Sequence, residues 1–403
     1  MQLDENKINE ILMEALGLAL TRKQIDEMSH LSDLNRDELQ QFIALADRHE
    51  VLPMLYDIFE QAKIPKDLMQ YVSDRSRRMV LESYRLMQLA AYVTQFLQEE
   101  GITAIVLKGA STASLYPVPE VRKSSDVDLL LANPKEYEKA CEIFLKKGFH
   151  LNDEEHSNHH KSFVTEEGVL VELHSLLVEP FESKAFNRYV QELTKTFETH
   201  VQENKHWGVT LYEPELIYHA YYLLLHMMQH FLRSGFGLRN LCDWVVILQQ
   251  EFQNKEKEQL LKLLHDSGMQ GFASCLTQIA VTYFGIEKES VEFLLCDDCD
   301  RKVSKELLFD ILTGGEFGGA DEGRMVLLRG RNVKDYLREF HHQMYLNYPN
   351  AGHIFLIWPI LWGMTAIRFL HNNRQVRKIS TTKILKDSRK RSTLFKSLHL
   401  KYH

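Results

Sequence analysis

Asp126 and Asp128 stand one residue apart in the run DVDLLL, and Glu172 stands alone among apolar neighbours in VLVELH. On a strand, alternate side chains share a face, so the two aspartates would project together from the start of an otherwise apolar segment. Two carboxylates so placed repel each other unless a cation joins them. A third acid from a neighbouring strand would complete a set of hard oxygen ligands, which suits Mg2+. Asp-x-Asp by itself is weak evidence, because a surface strand with solvated acids is the plainer account. Its context tells against that account. An apolar run ending in Lys108-Gly109 precedes it, Arg122 lies just before it, and Glu172 follows on a later apolar run.

The elements that must position these residues follow from pattern and punctuation. Residues 1–98 read as helical, with Ile8, Ile11, Leu12, Ala15 and Leu16 at helical spacing. Ile102 to Leu107 is a short, mostly branched apolar run, which predicts a buried strand. Asp126 to Leu131 predicts a second. The helix after it has Asn133 at the N-cap, Pro134 at the first position and Gly148 just past the end. HKSFV and VLVELH, joined by TEEG, predict a hairpin. Beyond Pro180 the chain turns helical again and mostly stays so. The expected class is α+β: an N-terminal helical region over 1–98, a small α/β core over 99–180, and a C-terminal helical region over 181–403.

Composition narrows the function classes. A chain of 403 residues with net charge −8 has no nucleic-acid footprint. The start, MQLDENKINE, lacks the basic and apolar stretches of a signal peptide. Five scattered cysteines fit reduced thiols in a cytoplasmic protein. The apolar run Ile354 to Leu370 is shorter than the roughly 20 residues of a membrane span and contains Pro359, Gly363 and Arg368, so a buried bent helix or hairpin is expected. The tail beyond it is strongly basic, with only Asp387 against ten lysines and arginines. Docking on an anionic membrane surface is one reading; a solvated tail is preferred. Thr313 to Gly323 is a Gly-rich stretch without a preceding strand or a following Gly-Lys-Ser/Thr, so it is a loop and not a phosphate cradle.

The order LKGAS, RKSSDVDLLL, VELH resembles the nucleotidyltransferase superfamily that includes DNA polymerase β. More closely it resembles a largely uncharacterised bacterial branch with Leu-Lys-Gly, Tyr-Pro, Arg, Asp-x-Asp-Leu-Leu and Glu-Leu-His. The upstream HEVLPMLYD, the downstream HMMQHFLRSGFGLRNLCDW and the late Pro-Ile-Leu-Trp extend the resemblance over most of the chain. It implies a nucleotidyltransferase-type mixed sheet and transfer with two Mg2+ ions, Mn2+ substituting, and an NTP substrate. Asp126 and Asp128 would hold both ions, and Glu172 would complete the acceptor-side site. Gly109 would let the backbone approach phosphates, with the N–H groups of Ala110 and Ser111 donating and Lys108 and Arg122 supplying positive charge. Gly109-Ala110 departs from the Gly-Ser or Gly-Gly of much of the superfamily.

Other clusters carry two readings each. His219, His226 and His230 share a helical face, lining a cleft or forming the polar face of a core helix; zinc ranks last. Arg233, Arg239 and Asp243 follow as cleft candidates. His174 shares the face of Glu172 and is expected beside the metals. His150, His156, His159 and His160 read first as a solvated loop, with a metal role as the minority reading. Cys296-x-x-Cys299 lacks a second pair. The expected activity is transfer of a nucleoside monophosphate, AMP from ATP in the first instance, to a hydroxyl of an unidentified small molecule, sugar or protein, releasing pyrophosphate. The alternative is a catalytically silent nucleotide-binding or scaffold protein.

Overall fold

A computed structural model describes residues 2–21, 29–152, 159–181, 183–206, 208–233, 235–296, 301–314 and 351–371, with single positions within 337–348 and 393–400. The three longest of the leading helices are α1 (Gln2–Thr21), α2 (Arg36–Arg48) and α3 (Lys66–Glu99). Asn35 caps α2 with Glu38 in a reciprocal capping box, which satisfies free amides at both positions. Then come β1 (Ile105–Val106), the one-turn α4 (Ala110–Ala113), β2 (Asp126–Leu130), α5 (Pro134–Lys146), β3 (His150–Leu151), β4 (His160–Val164) and β5 (Leu170–His174). Asn133 caps α5 and Gly148 follows it with φ +88°, as the punctuation predicts.

The region expected to be helical after Pro180 departs from that expectation. Behind α6 (Lys184–Phe197), β6 (Val201–His206) and β7 (Val209–Pro214) form a hairpin, and β7 joins β1 in parallel. The sheet therefore has seven strands in the order β3-β4-β5-β2-β1-β7-β6. The hairpin is hard to read in sequence because β6, VQENKH, is an edge strand with largely exposed, polar positions. Helices resume with α7 (Leu216–Arg233), α8 (Leu238–Leu248), α9 (Asn254–Ser267), α10 (Gln270–Tyr283) and α11 (Arg301–Gly314).

The two faces of the sheet enter two apolar cores. Val106, Val127, Leu129, Val171 and Leu173 pack with the end of α3 and with α5. Ile105, Leu107 and Leu130, alternate in sequence to these, pack into a larger core with α7, α8 and α10. The N-terminal helices belong to that larger core. At Gly17 an added Cβ would lie 2.9 Å from the Phe284 backbone, so glycine allows α1 to seat against the end of α10. His49 accepts from the Leu238 amide at Nδ1 (3.1 Å), which leaves Nε2 to donate to the Leu312 carbonyl (3.1 Å).

Two expectations for the C-terminal part need correction. The apolar run forms a helix, α12 (Trp358–His371), but Phe355, Leu356, Ile360 and Ile367 are exposed, Leu356 at 86%. Its indoles, Trp358 and Trp362, pack on His341, and Leu361 is buried, while Ile360, Met364 and Ile367 stay exposed. Among the described residues no helix is long and apolar enough to cross a membrane. The end of the tail is docked, since Leu394, Phe395, Leu398 and Leu400 are buried in the larger core and Phe395 stacks on Phe231. The basic residues 374–391 and the Gly-rich stretch beyond residue 314 lie outside the described residues. Cys141, Cys242 and Cys296 are not in disulfides, whereas Cys275 is disulfide-bonded, which sequence spacing alone does not show.

Candidate active site

β2 and β5 run parallel in a register that sets Asp128 opposite Glu172 and Leu130 opposite His174. β4 runs antiparallel to β5 and sets His160 opposite His174. Asp126, Asp128, Glu172, His174 and His160 therefore rise from one face of the sheet. α7 and α8 cover that face, and a cavity of about 290 Å³ remains between them, lined also by Lys108, His159, His226, His230 and Arg239.

Charge inside the cavity is closely paired. Lys108 Nζ lies 3.3 Å from Asp126 Oδ2 and 3.1 Å from Asp128 Oδ2. His174 Nε2 lies 3.0 Å from Asp128 Oδ1 and 3.1 Å from Glu172 Oε2. Burial works against a charged imidazole, but the hydrogen bonds to Asp128 and Glu172 raise His174 to about 9. Burial likewise opposes a charged Glu172, and His174 outweighs it, holding that carboxyl below its usual range. Lys108 is held above its usual range by Asp126 and Asp128 despite the same desolvation. Asp128 is 1% exposed, and its Oδ2 makes no hydrogen bond even with Lys108 so near. Three carboxylates converging on one cavity make a hard oxygen donor set that fits a divalent cation of the Mg2+ type.

The turn after β1 supplies the second half of the cleft. Gly109 has φ +67°, and a Cβ there would meet the Asp126 carbonyl at 3.5 Å. A left-handed residue so close to β2 favours glycine. Gly109 and Lys108 line a small neighbouring cavity with Arg122, Ser124 and Asn240. Ala110 and Ser111 are buried and line neither cavity.

Arg122 is 4% exposed and spends its guanidinium on structure. Its Nε and Nη2 donate to the two oxygens of Asp243, each at 2.7 Å, and Nη1 donates to Ser124 Oγ at 2.7 Å. Tyr116 also donates to Asp243 at 2.7 Å. Arg239 donates to the Lys123 carbonyl (2.6 Å) and pairs with Glu50 at 3.4 Å. These contacts tie the loop before β2 to α8 and so fix where Asp126 emerges. The side chain of Arg233 lies outside the described residues.

The α7 histidines divide. His226 and His230 line the cavity with their Nε2 atoms 3.1 Å apart. His219 is fully inside the protein, 3.0 Å from Thr112 Oγ1. Burial drives His219 and His230 down to about 4, and burial with the nearby His230 also holds His226 well below the usual imidazole range. A depressed histidine keeps its proton off in the folded state while the unfolded chain takes one up below about 6.5. Unfolding free energy should therefore fall as pH drops from 6.5 towards 4, by about 3 kcal/mol for His219 alone. Denaturant titrations across that window check this, and His219→Gln should flatten the slope by about one proton. A flat profile in the parent would contradict it.

His159 and His160 are the residues whose placement the sequence reading missed. They are 5% and 8% exposed, not solvated. The signal lay in the hairpin loop. Thr165 and Val169 close it (3.0 Å) around Glu166, Glu167 and a left-handed Gly168, and that three-residue loop fixes the His160–His174 pairing. His150 is exposed, and His156 lies outside the described residues.

The chain is similar to few proteins of known structure. An antigenic nucleotidyltransferase-like protein from Paracoccidioides brasiliensis is 15% identical, with a TM-score of 0.32, over 50% of this chain and 93% of that one. No curated protein matches. The sequence profile of one family, described as uncharacterised nucleotidyltransferase, matches residues 35–285. That match takes in α2 to α10, all seven strands and every residue of the carboxylate cleft, and it spans more than half of the chain, which therefore belongs to this nucleotidyltransferase family.

Proposed function

We propose that the chain transfers a nucleoside monophosphate, AMP from ATP in the first instance, to a hydroxyl of a small molecule, sugar or protein. The observation that carries this reading is the register placing Asp128 beside Glu172, with Asp126 on the same face, at one cleft. Mg2+ bound there would supply Lewis-acid stabilisation of the transferring phosphoryl group and the leaving pyrophosphate. Asp126, Asp128 and Glu172 would hold it. Lys108, which neutralises Asp126 and Asp128 before ligand arrives, turns its ammonium to the phosphates. The backbone at Gly109 comes close to them because no side chain intervenes. Glu172, held below its usual range by His174, would accept the proton of the attacking hydroxyl.

One observation favours the silent alternative: Lys108 already pairs both aspartates, as a binding protein without a metal would require. Incubation with each labelled NTP, Mg2+ and a metabolite extract separates the readings. Pyrophosphate release with a labelled product is expected. Nucleotide and Mg2+ together should raise the melting temperature by more than the sum of their separate shifts. No release and no joint shift at any Mg2+ concentration would leave the scaffold reading.

A further inference from the structure

The carboxylate cleft continues into a cluster of nitrogen donors that oxygen-seeking Mg2+ does not use. One ring nitrogen from each of His159, His160 and His174 lies within 4.8 Å of the other two. The rings crowd together, with centroids 4.3 Å apart for His159 and His160 and 5.0 Å for His160 and His174. Glu172 Oε1 is 3.8 Å from His160 Nε2, and Glu179 Oε1 is 3.8 Å from His159 Nδ1. His174 engages the carboxylates through Nε2 only. Its Nδ1 is buried and has no hydrogen-bond partner among the described residues.

We propose that His159, His160 and His174 hold a first-row transition-metal ion, of the Zn2+ or Co2+ type, beside the carboxylate site. Three imidazoles with a carboxylate at hand make a borderline-soft set, which selects such ions over Mg2+. The secondary structure presents these donors without a special loop. His160 and His174 face each other across β4 and β5, and His159 precedes His160 directly. Glu172 then stands between the two donor sets, close enough to serve the histidine-held ion as a fourth ligand, and Glu179 is placed to orient His159. Such an ion needs no nucleotide to bind, whereas Mg2+ at the aspartates keeps most of its water and arrives with phosphate. The inference therefore stands or falls separately from nucleotide transfer.

The test is Co2+ titration of the chelator-stripped full chain, without nucleotide, followed by visible absorption. One Co2+ per chain is expected, with ligand-field bands that Zn2+ abolishes and excess Mg2+ leaves unchanged. His159→Asn with His160→Asn should weaken Co2+ by about a hundredfold. Asp126→Asn should keep the bands while losing any pyrophosphate release. Metal-free melting curves show whether the double variant folds; should it not, His160→Asn alone carries the comparison. Absence of Co2+ bands in the parent, displacement of Co2+ by Mg2+, or unchanged affinity in the folded histidine variants would each overturn the proposal.

Discussion

Asp128→Asn should lower pyrophosphate release by about a thousandfold or more, about 4 kcal/mol of transition-state stabilisation, and leave the fold intact. The exchange keeps the volume of a side chain that is 1% exposed. It removes the charge that sits between Lys108 and His174. For an isolated acid pair, losing one charge would relieve repulsion and raise stability. Here Lys108 retains Asp126 and His174 retains Glu172, so the expected stability change is a loss of about 1–2 kcal/mol. Turnover within tenfold of the parent would remove Asp128 from the catalytic machinery. A loss of stability beyond about 3 kcal/mol would make it a structural ion-pair member instead.

Asp243→Ala should cost about 3–5 kcal/mol in denaturant unfolding, the largest stability effect expected of any single substitution in the cleft. The carboxylate accepts three hydrogen bonds at 2.7 Å, two from Arg122 and one from Tyr116. Removing it takes away both carboxylate oxygens that neutralise a buried guanidinium, and the Ser124 hydroxyl supplies no compensating charge. Arg122→Met with Asp243→Leu should recover most of that loss, because an apolar pair leaves no buried charge unmatched. Release of pyrophosphate should stay low in both, since the loop that presents Asp126 has lost its tether to α8. A single variant that unfolds like the parent would show that the pair is not a clamp.

The sequence by itself determined which acids stand together in the cleft and part of the cleft's frame. The alternation of Asp126 and Asp128 on an apolar run, Glu172 on another, and Asn133 with Gly148 around one helix are local features, and local sterics and hydrogen bonding settle them. It also carried the family resemblance. Only the tertiary structure decided what those residues touch. Arg122 reads as a phosphate cation until α8 brings Asp243 against it, which depends on packing across more than a hundred residues. Lys108 too reads only as a phosphate cation until the β1–β2 pairing sets it between two aspartates. His159 and His160 read as a wet loop because burial is a property of the assembled sheet under α7, and no periodicity encodes a neighbour that distant. β6 and β7 escaped for the same reason: an edge hairpin with polar positions has little apolar alternation of its own, and it becomes a strand pair because β1 offers it an edge.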